Sequence, residues 1–132
     1  MIRPDRMTIK AQEAFRDAGD EARRRGNPVV NDAHLLFALL QQPEGVVQPL
    51  LQKSGVNVTR LLEEVEREIG RFPKQEGSGA EPTFSRELHR VFDRAEEAAR
   101  KMGDAYASTE HLLLALAEEK GSATRPLLRT WP

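Results

Sequence analysis

Two nine-residue stretches of the sequence share one pattern: NDAHLLFAL at residues 31–39 and STEHLLLAL at residues 108–116. The same offset of 77 positions relates further identical pairs without a gap: Phe15 and Phe92, Gly26 and Gly103, Pro49 and Pro126. Aligning residues 8–55 with 85–132 gives 13 identities in 48 positions, where average composition gives roughly three by chance. The chain therefore contains an internal duplication, whose halves we call copy one and copy two.

The apolar residues of both copies recur at helical spacing. The clearest series are Leu88, Val91, Phe92, Ala95, Ala99 and Met102, and Val58, Leu61, Leu62, Val65 and Ile69. No stretch alternates like a β-strand. N-cap residue types stand at the expected helix starts, which are Thr8, Asn31, Asn57, Ser85 and Ser108. Gly26 and Gly103 follow basic last turns, where a left-handed C-cap is favoured. We predict an all-α fold of about seven helices.

Between the copies lies RFPKQEGSGAEP, whose Pro and Gly residues predict a flexible surface linker. We predict a single domain over residues 1–132, with repeat one at 8–70, the linker at 71–82 and repeat two at 85–132. Copy one continues into a fourth helix near residues 58–69, whereas copy two reaches Trp131 and Pro132 without a counterpart. The two units should pack about a pseudo-two-fold axis, each covering an apolar face of the other.

The composition limits the functional classes. The sequence has 20 Lys and Arg residues and 21 Asp and Glu residues, which gives a formal net charge of -1. This charge favours neither nucleic acid nor an anionic membrane as a partner. There is no cysteine, and no apolar run approaches membrane-spanning length. We expect a cytoplasmic protein without a cofactor.

Four segments together resemble the Clp amino-terminal domain, the duplicated helical module at the front of the Clp AAA+ chaperones. They are DRMTIKAQEAF, the paired HLL.AL, GD.Y.STEHLLLAL and EG...PLL..SGVN. The resemblance covers essentially the whole chain and is closest to the ClpB disaggregase branch. It implies a domain that captures unfolded or aggregated polypeptide for a hexameric AAA+ ring. The chain has no GxxxxGK[ST] phosphate loop, so it should not hydrolyse ATP itself.

The resemblance also implies three substrate-binding residues: Thr8, Asp104 and Glu110. Each has a purely structural alternative, since Thr8 can cap a helix, Asp104 can form a turn, and Glu110 lies in a first helical turn. A residue that serves only local structure should recur chemically in the other copy. Thr8 matches Ser85 and Asp104 matches Asn27, but Glu110 matches Ala33. Glu110 is therefore the strongest functional candidate of the three.

The histidines His34 and His111 are matched by the duplication and precede Leu-Leu in a first helical turn. A hydrogen-bonded, partly buried histidine near the contact of the copies is a simpler interpretation than a metal ligand. No nucleophile pairs with a base and an orienting group, so we predict no catalytic residues. In the family the groove has apolar walls, but Arg94, Ala98 and His111 stand where more apolar residues are expected, which predicts a more polar groove.

Three alternatives remain open at this stage. The domain could dock a folded adaptor protein, as in ClpC or ClpA, instead of unfolded chains. It could bind phosphorylated arginine as ClpC does, although Ala33 replaces the Glu that a double site requires. It could also act alone, without a motor.

Overall fold

The computed structural model describes residues 2–75, 81–119 and 124–128. Copy one contains α1 (Ile9–Arg24), α2 (Asp32–Gln41), α3 (Val47–Lys53) and α4 (Val58–Gly70), preceded by a 3-10 turn at Pro4–Arg6. Copy two contains α5 (Arg86–Lys101), α6 (Thr109–Glu118) and α7 (Arg125–Leu128). The predicted all-α class is confirmed. Positions 76–80 of the predicted linker and the predicted end of copy two at Trp131 and Pro132 lie outside the described residues.

The helices begin and end at the residues that local chemistry favours. All five predicted N-caps directly precede a helix: Thr8, Asn31, Asn57, Ser85 and Ser108. The Oγ1 of Thr8 accepts a hydrogen bond from the Ala11 N–H at 3.2 Å, and the Ser85 hydroxyl caps α5 in the same way. Gly26 and Gly103 have φ angles of 75° and 77°. Both glycines thus adopt the left-handed conformation that ends a helix at low steric cost.

Two short strands were not predicted from the sequence. They are β1 (Val29–Val30) and β2 (Thr83–Phe84), which pair in parallel with Val30 opposite Phe84. Because each strand has only two residues, no alternation of the usual four to eight residues could reveal it. The pair joins the loop before α2 in copy one to the segment that enters α5 in copy two.

The duplication produces a reciprocal contact between the copies. The Ser85 N–H donates to the Val30 carbonyl at 2.9 Å, and the Thr8 N–H donates to the Ala107 carbonyl at the same distance. The offset of 77 converts each of these bonds into the other. Met7 also forms a parallel bridge with Ala107, as Phe84 does with Val30. This exchange of equivalent contacts is what a pseudo-two-fold axis requires.

The core continues across this axis. Helix α1 packs on α2, α5 packs on α6, and α6 contacts both α1 and α2. The rings of Phe15 and Phe92, which are equivalent residues, meet edge to face with their centroids 6.4 Å apart. Phe92 is completely buried. Neither copy therefore buries its apolar face without the other.

Candidate functional site

The paired histidines hold the starts of α2 and α6. In copy two, His111 Nδ1 accepts a hydrogen bond from the Ser108 N–H at 2.9 Å, and its Nε2 lies 3.0 Å from Asp104 Oδ2. In copy one, His34 Nδ1 accepts from the Asn31 N–H at 2.9 Å. Because Nδ1 accepts, Nε2 carries the proton in the neutral ring and donates to the residue beside it. Each of these hydrogen bonds joins residues of the same copy. The two histidines therefore fix helix starts, and these bonds do not connect the copies.

The partner of each histidine differs in its surroundings. In copy one, Asn27 is buried and accepts from His34 Nε2 at 2.9 Å, while its amide nitrogen donates to the Pro73 carbonyl at 3.0 Å. In copy two, Asp104 accepts from His111, but its side chain is 52% exposed. The histidine partner is therefore buried in copy one, as Asn27, and exposed to solvent in copy two, as Asp104.

Glu110 lies in the first turn of α6 and is exposed. No ion pair of Glu110 is found among residues 2–75, 81–119 and 124–128. The equivalent Ala33 is completely buried. A carboxylate at this position is thus unnecessary for the local fold and available to a ligand.

A backbone hydrogen bond connects Thr8 to the segment that carries the other two predicted residues. Its N–H is bonded to Ala107, which stands midway in sequence between Asp104 and Glu110. The Thr8 hydroxyl is already used as the cap of α1. The structure therefore places the start of α1 next to the segment that connects Asp104 to α6. Thr8 itself has a structural role as the N-cap of α1.

Exposed apolar side chains lie close in sequence to Asp104 and Glu110. Met102 is 65% exposed, Tyr106 52% and Leu114 43%. We call Met102, Tyr106 and Leu114 the copy-two apolar surface. The offset of 77 places Met102 and Leu114 at the positions of Arg25 and Phe37.

In copy one these equivalent positions are covered. The Arg25 guanidinium lies 5.3 Å above the centre of the Phe37 ring, a cation-π contact. Arg24 and Arg25 both bond Glu21. Burial alone would raise the pKa of Glu21, but the hydrogen bonds from these two arginines outweigh it and hold the pKa below its usual value. This charged clasp covers Phe37, so the copy-one counterpart of exposed Leu114 is half-buried.

Arg94, one of the residues behind the predicted polar groove, forms an ion pair with the end of α6. The Arg94 Nε donates to Glu119 at 3.0 Å and the Arg90 Nε donates to the same carboxylate at 3.3 Å. The Glu119 side chain is only 7% exposed. These arginines are thereby committed to a buried carboxylate that fixes the end of α6 against α5.

The sequence did not indicate an apolar cavity of about 450 Å³ at the start of α1. Its apolar lining consists of Ile2, Pro4, Met7, Ile9, Phe15 and Phe84. Ile9 is 74% exposed, and Thr8 stands between two lining residues. Met7 and Phe84 are equivalent in the duplication, so the cavity lies close to the pseudo-two-fold axis, a position that only the packing of the copies defines.

Within residues 2–75, 81–119 and 124–128, no group of three or more His, Asp or Glu side chains is arranged to hold a metal ion. No helix in these ranges is long and apolar enough to span a bilayer.

The fold and the paired helix starts define a duplicated helical domain. Residues 6–130 match the family model of the Clp repeat (R) N-terminal domain. The chain belongs to this Clp amino-terminal domain family. It is 39% identical over 117 residues to the chaperone protein ClpB of Corynebacterium glutamicum, covering 88% of this chain. The chain spans only 14% of that relative's length.

Solved structures show the same fold. The Hsp104 N-terminal domain from Candida albicans matches with a TM-score of 0.82 and 21% identity, over 94% of this chain and 80% of that chain. A ClpV N-domain in complex with a VipB peptide matches with a TM-score of 0.76 and 20% identity, over 96% of this chain and 77% of that one. The chain is therefore an N-terminal domain of the kind found in ClpB-like AAA+ chaperones.

Proposed function

We propose that this domain captures unfolded or aggregated polypeptide at the open face of copy two and presents it to a ClpB-like disaggregase. In this proposal the hexameric ring supplies the ATP-driven unfolding, and the domain supplies binding without catalysis. The proposed setting is the cytoplasm, and neither nucleic acid nor a membrane is a proposed partner.

One observation carries the proposal. The copies share their backbone plan, yet the Arg25 and Phe37 clasp of copy one is replaced by exposed Met102 and Leu114 in copy two. Exposed apolar side chains clustered beside polar residues are typical of interaction sites. Asp104 and Glu110 border this surface and belong to the proposed site, together with Thr8 at the adjoining helix start.

The chemistry of this face suits weak and broad recognition. Met102 and Leu114 are flexible, unbranched or singly branched side chains that fit apolar groups of varied shape. Glu110 and Asp104 can accept hydrogen bonds from backbone N–H groups or from basic side chains of an extended chain. The exposed carboxylates are screened by water and salt, so each contact contributes little and release stays easy.

The test is an NMR titration of the 132-residue protein with a permanently unfolded model protein. We expect amide shifts at Asp104, Glu110 and Leu114. Glu110→Ala should weaken binding about three- to fivefold, the range of an exposed charged contact. Leu114→Gln should weaken it further, because it removes apolar contact area.

The matched control is Glu63→Ala, which removes an exposed glutamate from α4 in copy one. Its affinity should equal that of the unchanged protein. Shifts confined to other surfaces, or equal affinities for Glu110→Ala and Glu63→Ala, would contradict the proposed site. Failure of every unfolded chain to bind a well-folded sample would overturn client capture itself.

The cavity at the start of α1 supports one alternative, docking of an adaptor protein. A cavity with a defined apolar lining favours one segment of one partner over many unfolded chains. The ClpV N-domain noted above is in complex with a VipB peptide. Under this alternative Ile9→Asp would abolish partner binding and leave the affinity for unfolded chains unchanged.

A further inference from the structure

The two longest helices carry opposite charges at equivalent positions. In their first nine residues, the charged positions of α1 are Lys10, Glu13, Arg16 and Asp17, and the counterparts in α5 are Glu87, Arg90, Asp93 and Arg94. All four positions reverse their sign between the copies. The last turns of both helices, by contrast, keep basic residues, which the helix dipole favours. Because both helices form with either set of charges, the fold does not determine these signs.

On α1, an exposed stripe combines apolar and acidic side chains. It consists of Ile9, Glu13 and Asp17, which are spaced four residues apart and so lie along one side of the helix. We call these three residues the α1 stripe. Ile9 is 74% exposed, and the side chains of Glu13 and Asp17 are 38% and 49% exposed. Both carboxylates form only long ion pairs on their own helix, at 4.0 Å to Lys10 and 3.8 Å to Arg16.

The equivalent stripe on α5 is basic. It consists of Arg86, Arg90 and Arg94, which we call the α5 stripe. Arg90 and Arg94 share the buried carboxylate of Glu119, and Arg90 also lies 3.6 Å from Glu87. Three guanidinium groups against two carboxylates leave the stripe positive. Each guanidinium has five N–H donors, so donors remain for an acceptor at the surface.

The two stripes are complementary in chemistry. Guanidinium groups bind carboxylates through paired hydrogen bonds, which matches the arginines of the α5 stripe to Glu13 and Asp17. The apolar stem of an arginine can cover exposed Ile9 while its charged end stays in water.

Within one molecule the stripes cannot meet. The helices α1 and α5 contact each other through the rings of Phe15 and Phe92. Phe15 is two residues from both Glu13 and Asp17, and two residues turn a helix by about 200°. The same holds for Phe92 between Arg90 and Arg94. Both stripes therefore point away from the contact between the helices, and they can pair only between two molecules.

We propose that the α5 stripe of one molecule binds the α1 stripe of a second copy of this chain. Because two different surfaces meet, the contact is head-to-tail, and each end of the assembly keeps one free stripe. The formal net charge of -1 gives little overall repulsion between copies. This interaction goes beyond the proposed function and requires no client.

The first experiment is sedimentation of the 132-residue protein over a range of protein concentrations, at about 20 mM and about 500 mM salt. At low salt the mean molar mass should rise with protein concentration. At high salt the association should weaken about fivefold or more, because exposed ion pairs are screened. A strictly monomeric protein at low salt would overturn the inference. Association that is unchanged at high salt would also overturn it, because an apolar contact would then hold the copies together.

Two double variants test the head-to-tail arrangement. Glu13→Arg with Asp17→Arg reverses the α1 stripe and leaves the α5 stripe intact. Arg86→Gln with Arg90→Gln weakens the α5 stripe and leaves the α1 stripe intact. Each variant alone should be monomeric. An equal mixture should form a 1:1 dimer and no larger species, because one variant supplies each working stripe.

The variants are chosen so that each should fold. The second variant keeps Arg94, which donates to Glu119 at 3.0 Å, and circular dichroism checks both proteins. Arg86→Glu alone is a milder change at an exposed residue and should weaken association about threefold. The matched control is Glu63→Arg with Glu66→Arg, which reverses two exposed charges on α4. It should associate like the unchanged protein.

The mixture decides the inference. If either double variant still associates alone, or if the mixture stays monomeric while the unchanged protein associates, the contact lies elsewhere and the inference is wrong. A loss of association in the α4 control would likewise count against the stripes. The titration with unfolded protein is a separate measurement, so either proposal can fail while the other stands.

Discussion

His34 is completely buried, and this burial has a measurable cost in acid. Burial first, and then the positive charge of Arg25, lower the pKa of His34 from 6.5 to about 4. The unfolded chain therefore takes up this proton more readily than the folded protein. The stabilising contribution is fully present above about pH 6.5 and is lost as the pH falls towards 4.

We predict that His34 lowers the free energy of unfolding by about 2–3 kcal/mol between pH 7 and pH 4.5. The measurement is urea unfolding at both pH values for the protein and for His34→Gln. Carboxylates such as Glu21 also lose stability in acid, so the difference between the two proteins isolates the histidine. An identical pH dependence in both would contradict the prediction.

Single residues also distinguish the copies where their backbones agree. Asn27 and Asp104 both accept from a histidine, yet only Asn27 is covered by another segment. Ala33 and Glu110 both stand in a first helical turn, but only Glu110 faces solvent. The comparison therefore separates what the fold requires at these positions from what is free to bind a ligand.

At the scale of secondary-structure elements, the N-caps of α1 and α5 form a matched pair. Thr8→Ala and Ser85→Ala should each lower the free energy of unfolding by about 1 kcal/mol, because each removes a side-chain acceptor from a helix start. Thermal unfolding followed by circular dichroism measures this. Thr8→Ala should also weaken client binding if its proposed role is correct, whereas Ser85→Ala should not. Equal binding by both variants would leave Thr8 only a structural role.

The two helix C-termini offer a second matched pair. Gly103→Ala should cost about 1–2 kcal/mol, the penalty for a Cβ in the left-handed conformation. Gly26→Ala should cost more, because its Cβ would also press on the Gln75 carbonyl at 3.3 Å. Denaturant unfolding of the two variants tests the order. A larger loss for Gly103→Ala would show that residues 72–75 do not pack as described.

At the scale of the whole molecule, the two copies form one cooperative unit. The reciprocal bonds of Thr8 and Ser85, and the Phe15 and Phe92 rings at the axis, connect the halves directly. Few of these contacts are local in sequence, so either half alone would expose the aromatic core. We therefore expect a single unfolding transition for both copies.

The Phe92→Ala variant tests this coupling. It removes a completely buried ring from the contact of the copies and should lower the free energy of unfolding by about 3–5 kcal/mol. Amide signals in copy one and in copy two should disappear at the same denaturant concentration. Phe92→Leu, which preserves more volume, is the milder control. Separate transitions for the two copies would refute a shared core.

The sequence alone determined the helices, their caps and the duplication. These features depend on the spacing of apolar residues and on hydrogen bonds between residues three or four apart, as at Thr8 and Ser85. They can therefore be predicted from the sequence. It also singled out Glu110, because the other copy supplies Ala33 as an internal comparison. The strands at Val30 and Phe84 were not predicted, because a strand of two residues has no recognisable alternation of apolar and polar side chains.

Only the tertiary structure decided which face is open. Residues 72–75 cover Asn27 from a distance of 46 positions along the chain, and Arg25 covers Phe37 across the loop between α1 and α2. The cavity between Met7 and Phe84 exists only where the copies meet. The exposure of a side chain depends on which distant element packs over it, and this cannot be predicted from the local sequence.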